Sequence, residues 1–296
     1  MKKRYQWKLK QREIVLGERT LLMGVLNVTP DSFSDGGKFL DPDRAFARAI
    51  ELEEDGADII DIGAESTRPG SQRISEAEEL RRLVPVLKRL RGKLAVPISV
   101  DTYKSAVAEK AFEHGAEIIN DPSGLLYDLQ LSKVVTKHDG GLVINHMRGT
   151  PETWAGLAPM RDLIRSIKID LEAAVHRSRQ GGVQKHQVAI DPGLGFGKRK
   201  EQNAEIIANL DALRSFDVPI VVGPSRKSFL RKENAVDLEF ATAAAVTACV
   251  LNGAHILRVH DVKAMRSVVE VSDAIRHASA EENEPASVQT RWQRGQ

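Results

Sequence analysis

Eight short runs of apolar, largely β-branched residues recur along this chain, at residues 21–27, 57–62, 97–101, 117–120, 141–145, 187–191, 219–223 and 255–259. Each is too short for a stable helix and the right length for a strand. Several are apolar at nearly every position instead of alternating, as a strand covered on both faces requires. Longer amphipathic stretches separate them. Strand–helix alternation builds a parallel sheet, because parallel neighbours need a crossover connection. Eight such units predict fold class α/β, a single (β/α)8 TIM barrel with a short N-terminal hairpin.

Local signals agree with this layout. Asp41 before Pro42 reads as an N-cap followed by the first helical residue. Ser75 with Glu78 three residues on reads as a capping box ahead of Leu80, Leu83, Val84 and Leu87. Gly115 and Gly253 stand just before strands, where helices end. Residues 240–251 are Ala-rich and apolar on most sides, which predicts a well-buried helix. Residues 5–18 alternate and predict a hairpin across the bottom of the barrel. The expected division is a hairpin segment at 1–20, a barrel at 21–277 and a polar, frayed tail at 278–296.

Composition narrows the function classes. A length of 296 residues suits one barrel, and 42% hydrophobic content supplies its core. The 43 basic and 41 acidic residues leave a net charge of +2. That balance excludes a dedicated nucleic-acid binder but allows a local cationic pocket. Cys249 is the only cysteine, so neither an internal disulfide nor a cysteine-rich metal site can form. The first residues lack the apolar core of a signal peptide, and no run approaches the roughly 18 apolar residues that span a bilayer. A cytoplasmic protein acting on small molecules is expected, with neither nucleic acid nor membrane as partner.

Side chains that do chemistry in a barrel project from the C-terminal strand ends and the loops after them. Here those positions read Asn27, Asp61, Asp101, Asn120, His146, Asp191, Lys227, and Arg258 with His260. Polar strand ends also serve as helix caps, but a complete ring of them is more than capping needs. Asp101, Asn120 and Asp191 offer two carboxylates and an amide. A ring edge with an amino group beside a ring N–H, as in a 2-amino-4-oxo pyrimidine, presents two parallel donors to one carboxylate. Lys227 adds a cationic donor for a ring oxygen or nitrogen. Arg258 and His260, with Ser225, Arg226 and Arg68, form an anion-binding set where barrels hold phosphate. Asn27 has one neutral oxygen, which suits a hydrated Mg²⁺ held mainly by phosphates.

Three motifs fail on inspection. Gly193-Leu194-Gly195-Phe196-Gly197-Lys198 looks like a phosphate loop, but Pro192 and Arg199 break the pattern, and the glycine spacing is wrong for a dinucleotide site. Asp31–Gly36 mimics a calcium loop, yet Phe33 takes a ligand position and Pro42 replaces the closing Glu. No pair among the eight histidines has zinc spacing.

The segments 24–37, 60–70, 99–104, 119–121, 146–151, 191–198, 225–228 and 258–262 resemble the dihydropteroate synthase family of the bacterial folate pathway. The likeness runs in order over about residues 20 to 275, one motif per strand end. It implies a usually dimeric barrel that joins 6-hydroxymethyl-7,8-dihydropterin diphosphate to 4-aminobenzoate, a Mg²⁺-dependent reaction blocked by sulfonamides. It also implies roles. Asp101, Asn120, Asp191, Lys227 and Arg258 would bind the pterin. Asn27, Thr67, Arg258 and His260 would bind the diphosphate, with Asn27 on the metal. Ser228, Thr67, Arg68, Pro69, Phe196 and Phe33 would form the aminobenzoate pocket. Lys227, Arg258, His260 and Asp35 would be the catalytic set, Asp35 either balancing a developing cation or assisting loss of the amine proton. Asn145 departs from the family pattern, where an apolar residue is expected; its amide either adds a bond to the pterin or turns to a backbone group.

Other readings compete. A pterin-dependent methyltransferase would share the Asp and Asn ring but has no use for Arg258, His260 and the Ser225–Ser228 cluster. A non-catalytic pterin-binding paralogue would be expected to lose loop residues that are intact here. A Schiff-base aldolase using Lys227 would need that lysine in an apolar pocket, whereas here it neighbours Arg226.

Overall fold

The computed structural model describes residues 2–29, 41–66, 68 and 70–281. The chain begins with an antiparallel hairpin of β1 (Tyr5–Lys8) and β2 (Glu13–Leu16), with Tyr5 opposite Leu16. Eight parallel strands follow: β3 (Leu21–Asn27), β4 (Ile59–Gly63), β5 (Ile98–Asp101), β6 (Ile118–Asp121), β7 (Gly141–Asn145), β8 (Val188–Asp191), β9 (Val221–Val222) and β10 (Ile256–Val259). Their spatial order is β8-β7-β6-β5-β4-β3-β10-β9. A parallel bridge between Ile190 and Ile220 draws the ends of that order together, so the sheet is a nearly closed barrel. The run at 219–223 shortens to two residues because Pro219 has no N–H to give the ladder; its carbonyl still accepts from Ile190 N at 2.9 Å.

The intervening helices are α1 (Pro42–Glu54), α2 (Glu76–Leu90), α3 (Ser105–Glu113), α4 (Gln130–Lys137), α5 (Leu163–Gln180), α6 (Lys200–Ala208), α7 (Ala235–Leu251) and α8 (Val262–Glu281). Asp41 caps α1 by accepting from Asp43 N and Arg44 N, and Ser75 caps α2 by accepting from Glu78 N. The box at Ser75 is half-formed, because the Glu78 carboxylate turns to Arg81 and Arg82 instead. Gly115 and Gly253 end α3 and α7 as expected. α8 continues through Glu281, beyond residue 278 where a frayed tail was expected.

α7 departs from its expected burial. Only the stripe of Thr242, Ala245, Val246, Cys249 and Val250 is buried, while Phe240 is 71% and Val236 63% exposed. A helix on the outside of a barrel meets the sheet along one face, whatever the rest of its surface contains. Among the described residues no helix is long and apolar enough to cross a membrane.

Strand periodicity divides the barrel interior into layers. The lowest consists of Leu21, Met23, Ile59, Ile118, Val143, Ala189, Val221 and Ile256, packed against Trp7, Leu9 and Leu16 of the hairpin. The hairpin thus seals the bottom, and the Trp7 indole N–H donates to Gln187 O at 2.8 Å. The interior positions above are Asp61, Asn120, Asn145, Asp191 and Arg258, so polarity is concentrated at the mouth. Trp7→Ala should cost about 3–5 kcal/mol, as removal of a fully buried aromatic does, with a fall in thermal midpoint and urea midpoint. An unchanged urea midpoint would show that the hairpin does not seal the barrel.

Candidate active site

At the mouth, Arg258 of β10 reaches over β3 to two carboxylates. Its Nε donates to Asp61 Oδ2 at 2.6 Å and its Nη2 to Asp101 Oδ2 at 2.9 Å. Asp61 is wholly buried. Asn120 Nδ2 also donates to Asp61 Oδ2, at 3.2 Å. That bond fixes the amide, leaving the Asn120 carbonyl oxygen as the acceptor for a ligand. Asp191 accepts from Gly193 N through Oδ1 at 2.7 Å.

Lys227 follows β9, and its ammonium lies 4.2 Å from the ring centroid of Phe196. Trp154 packs against Phe196 in a T-shaped arrangement, with centroids 5.4 Å apart at 74°. Ser225 Oγ stands 3.0 Å from His260 Nδ1 and accepts from His260 N at 3.2 Å. Ser225 is thus tied to both the backbone and the ring of His260. Asn27, Arg68, Arg226, Lys227, Ser228, Arg258 and His260 border one cavity of about 670 Å³ with Asp101 at its floor. Asn120, Asp191 and Phe196 line its narrow lower recess, beside Asp101, Lys227 and Arg258.

The electrostatics are those of a buried site awaiting a polar ligand. Burial pushes the Asp101 carboxyl up to about 7, against the attraction of Arg258 and with the repulsion of Asp61. Burial takes Asp191 up to about 6 despite the Gly193 N–H. Burial and the neighbouring Arg258 bring Lys227 down to about 8. Burial, then Arg258, hold His260 at about 3, so at neutral pH it is uncharged. No cluster of three or more His, Cys, Asp or Glu suited to a metal occurs among the described residues. Asn27, at the end of β3, brings a neutral amide to the border of the cavity.

The structure brings together Asp101, Asn120, Asp191, Lys227, Arg258, His260, Asn27, Ser228, Arg68 and Phe196. Phe33, Asp35, Thr67 and Pro69 lie outside the described residues. His146, though at a strand end, turns outward to Asp170 of α5 at 3.0 Å and takes no place in the ring. Arg226 pairs with Glu239 of α7. Asn145 turns to a backbone group, donating to Pro122 O at 2.9 Å. Asp61 is the member whose role the sequence left unassigned. Its signal was there: an acid in the middle of an apolar strand must have a buried partner.

Residues 23–260 match the family model described as pterin binding enzyme. A dihydropteroate synthase of Synechocystis sp. is 41% identical over 263 residues, covering 88% of this chain and 91% of that one. The crystal structure of dihydropteroate synthase from Clostridium difficile, in the presence of pteroic acid, superposes with a TM-score of 0.82 at 41% identity, over 88% of this chain and 98% of that one. The Yersinia pestis enzyme in complex with a sulfonamide drug gives 0.83 at 36%, over 91% and 99%. The chain belongs to the pterin-binding enzyme family and, within it, to the dihydropteroate synthases.

Proposed function

We propose that this transferase joins 6-hydroxymethyl-7,8-dihydropterin diphosphate to 4-aminobenzoate, giving 7,8-dihydropteroate and pyrophosphate, and that sulfonamides compete with the aminobenzoate. The observation that carries this reading is the single recess in which Asp101, Asn120 and Asp191 converge beneath Lys227 and Arg258. Two carboxylates and an amide oxygen suit the donor-rich edge of a pterin, and Lys227 suits its ring acceptors. In this structure Arg258 holds Asp101. Pterin donors would take over that carboxylate and free one arm of the guanidinium for the ring face and the diphosphate, while Nε stays on Asp61.

The C–O bond between the pterin methylene and the diphosphate breaks, the ring nitrogens stabilising the cation left behind. The arylamine nitrogen then forms the new C–N bond and loses a proton. Positive charge at the leaving group matters more than a strong base in such a step. Arg258 supplies that charge, and neutral His260 supplies a hydrogen bond. Asn27 would hold Mg²⁺ together with the diphosphate oxygens, and the metal would withdraw charge from the departing pyrophosphate. Ser228 and Arg68 would receive the aminobenzoate carboxylate beside Phe196, with Thr67, Pro69 and Phe33 completing that pocket and Asp35 close to the reacting nitrogen. Lids on the site would keep water from capturing the cation.

A homodimer in the cytoplasm belongs to the same reading, with residues 1–20 as the plug, 21–277 as the barrel and 278–296 as an extension. Val236, Phe240, Ala244 and Leu251 fall on one exposed face of α7, and exposed Val271 lies on its neighbour α8. An apolar stripe of this kind on packed helices suits a second copy of the chain.

Purified protein with Mg²⁺ and both substrates should form dihydropteroate, and Lys227→Ala should lower kcat/KM by about 10²–10³-fold. No product from the wild-type protein would overturn the reading. The pH profile follows from the charges. Asp101 must be ionised to accept ring N–H groups, and its raised value means that it is lost as pH falls through about 7. Lys227 must be protonated to donate, and its lowered value means that it is lost as pH rises through about 8. A bell-shaped kcat/KM for the pterin substrate is expected, highest between those limbs; a flat profile from about pH 5.5 to 9 would contradict the assignments. Phe240→Asp should convert a dimer to a monomer in sedimentation, and a wild-type protein sedimenting as a monomer at micromolar concentration would remove the dimer from this account.

A further inference from the structure

The segment Gly193–Lys198 looks like a phosphate loop in sequence, and the fold shows why it is not one. The N–H groups such a loop would turn to phosphate are already used: Gly193 N donates to Asp191 Oδ1 at 2.7 Å and Gly195 N to Asn203 Oδ1 at 2.6 Å. What the loop turns inward is carbonyl oxygen. Lys198 Nζ donates to Gly193 O at 2.7 Å, His146 O at 3.0 Å and Phe196 O at 3.3 Å. An ammonium has three hydrogens, and these three acceptors use them all. They come from two loops, one after β7 and one after β8. Burial pulls this lysine well below its usual value, with Asp191 opposing, but three carbonyls facing the nitrogen favour the protonated form, an internal cation around which the backbone is wound and which ties the two loops together.

The winding is tight. Gly193 and Gly197 both have positive φ, +71° and +70°. A Cβ at Gly193 would run into His146 O, and one at Gly197 into Arg148 O. The backbone held this way carries Phe196, whose carbonyl is on Lys198 and whose ring faces Lys227. By contrast Asp191 sits on β8, paired with Asn145 of β7, and its carbonyl accepts from His146 N at 2.9 Å. The sheet holds the Asp191 backbone, and only its carboxylate feels Lys198, through the Gly193 N–H and the nearby charge.

We propose that Lys198 is a positioning residue whose ammonium, saturated by three main-chain carbonyls, sets Phe196 against Lys227 and so shapes chiefly the aminobenzoate half of the site. This rests on the proposed reaction. Lys198→Met keeps the length of the side chain and removes the charge and all three donors. Gly193 O keeps the Phe196 N–H at 3.1 Å, but His146 O and Phe196 O lose the donor that Lys198 gave them, and the loop must shift to find other partners.

The test is a double-mutant cycle with steady-state kinetics on the purified protein: wild type, Lys198→Met, Phe196→Ala and the double variant. Lys198→Met should raise KM for 4-aminobenzoate by about tenfold or more, since misplacement by a fraction of an ångström carries penalties of that size. KM for the pterin diphosphate should stay within about threefold. In the Phe196→Ala background the Lys198→Met effect should vanish, because the residue through which it acts is gone. Lys198→Gln, which keeps two N–H donors, should fall between, and it carries the test if Lys198→Met does not fold. A purely structural lysine would lower the thermal midpoint and the active fraction with both KM values unmoved, and that result overturns the proposal. So does an increase in KM that adds in full to that of Phe196→Ala. Wild-type protein that makes no dihydropteroate would overturn the reaction itself, and the positioning role with it.

Discussion

The ion pair between Arg258 and Asp61 is the contact on which the mouth of the barrel depends. Asp61 is fully buried, and a carboxylate there without a cation would be left uncompensated in a low-dielectric interior. Breaking such a pair costs roughly 3–5 kcal/mol. With Arg258 in place, Asp61 becomes a fixed acceptor that also orients Asn120. One buried acid thereby sets the direction of an arginine and of an amide. The pair persists whichever way the second arm of the guanidinium turns, because Nε holds Asp61 while Nη2 holds Asp101.

This arrangement is possible because the bottom of the barrel carries the packing. Trp7, Leu9 and Leu16 fill the lower end against apolar residues from seven strands, so the upper layer is released from core duty. A barrel with an apolar upper layer would bury more surface and have no site. The desolvation of Asp101 and Asp191, which lifts both carboxyls well above their usual range, is a cost set against that lower packing. Stability resides at one end of the strands and chemistry at the other.

Much of this was legible in the sequence, for reasons that differ by residue. The strands at 21–27 and 141–145 match to the residue, because a continuous apolar run bounded by polar residues has one reading. The run at 219–223 shrank because a proline cannot donate, a loss that local hydrophobicity does not register. Strand ends could be located, but not which way each side chain faced. His146 and Asp191 both sit at strand ends; one turns out to Asp170 and the other into the recess. In a strand one residue of offset reverses the face. Asp61 was visible as an acid in an apolar run, yet its partner lies 197 positions away, beyond the reach of any local pattern. Lys198 was legible only in the negative. Pro192 and Arg199 break the phosphate-loop pattern around it, but nothing local shows the three carbonyls that its side chain takes.

The charges explain why the proposed substrate must be both donor-rich and anionic. With Arg258 engaged by two carboxylates and His260 neutral, Arg258 itself is not open to any phosphate that arrives, though Arg68 and Arg231 border the same cavity. A ligand able to replace Arg258 on Asp101 releases half of that guanidinium, and the ligand's own diphosphate can then claim it. A simple phosphate lacks the donors to do the first, and a pterin without a diphosphate cannot exploit the second. Selectivity in the proposed reaction thus comes from an exchange of partners at one carboxylate. Analogues missing the ring donors would leave Asp101 paired with Arg258, and a site with buried polar groups left unmatched rejects such analogues far more strongly than an apolar pocket rejects a missing methylene.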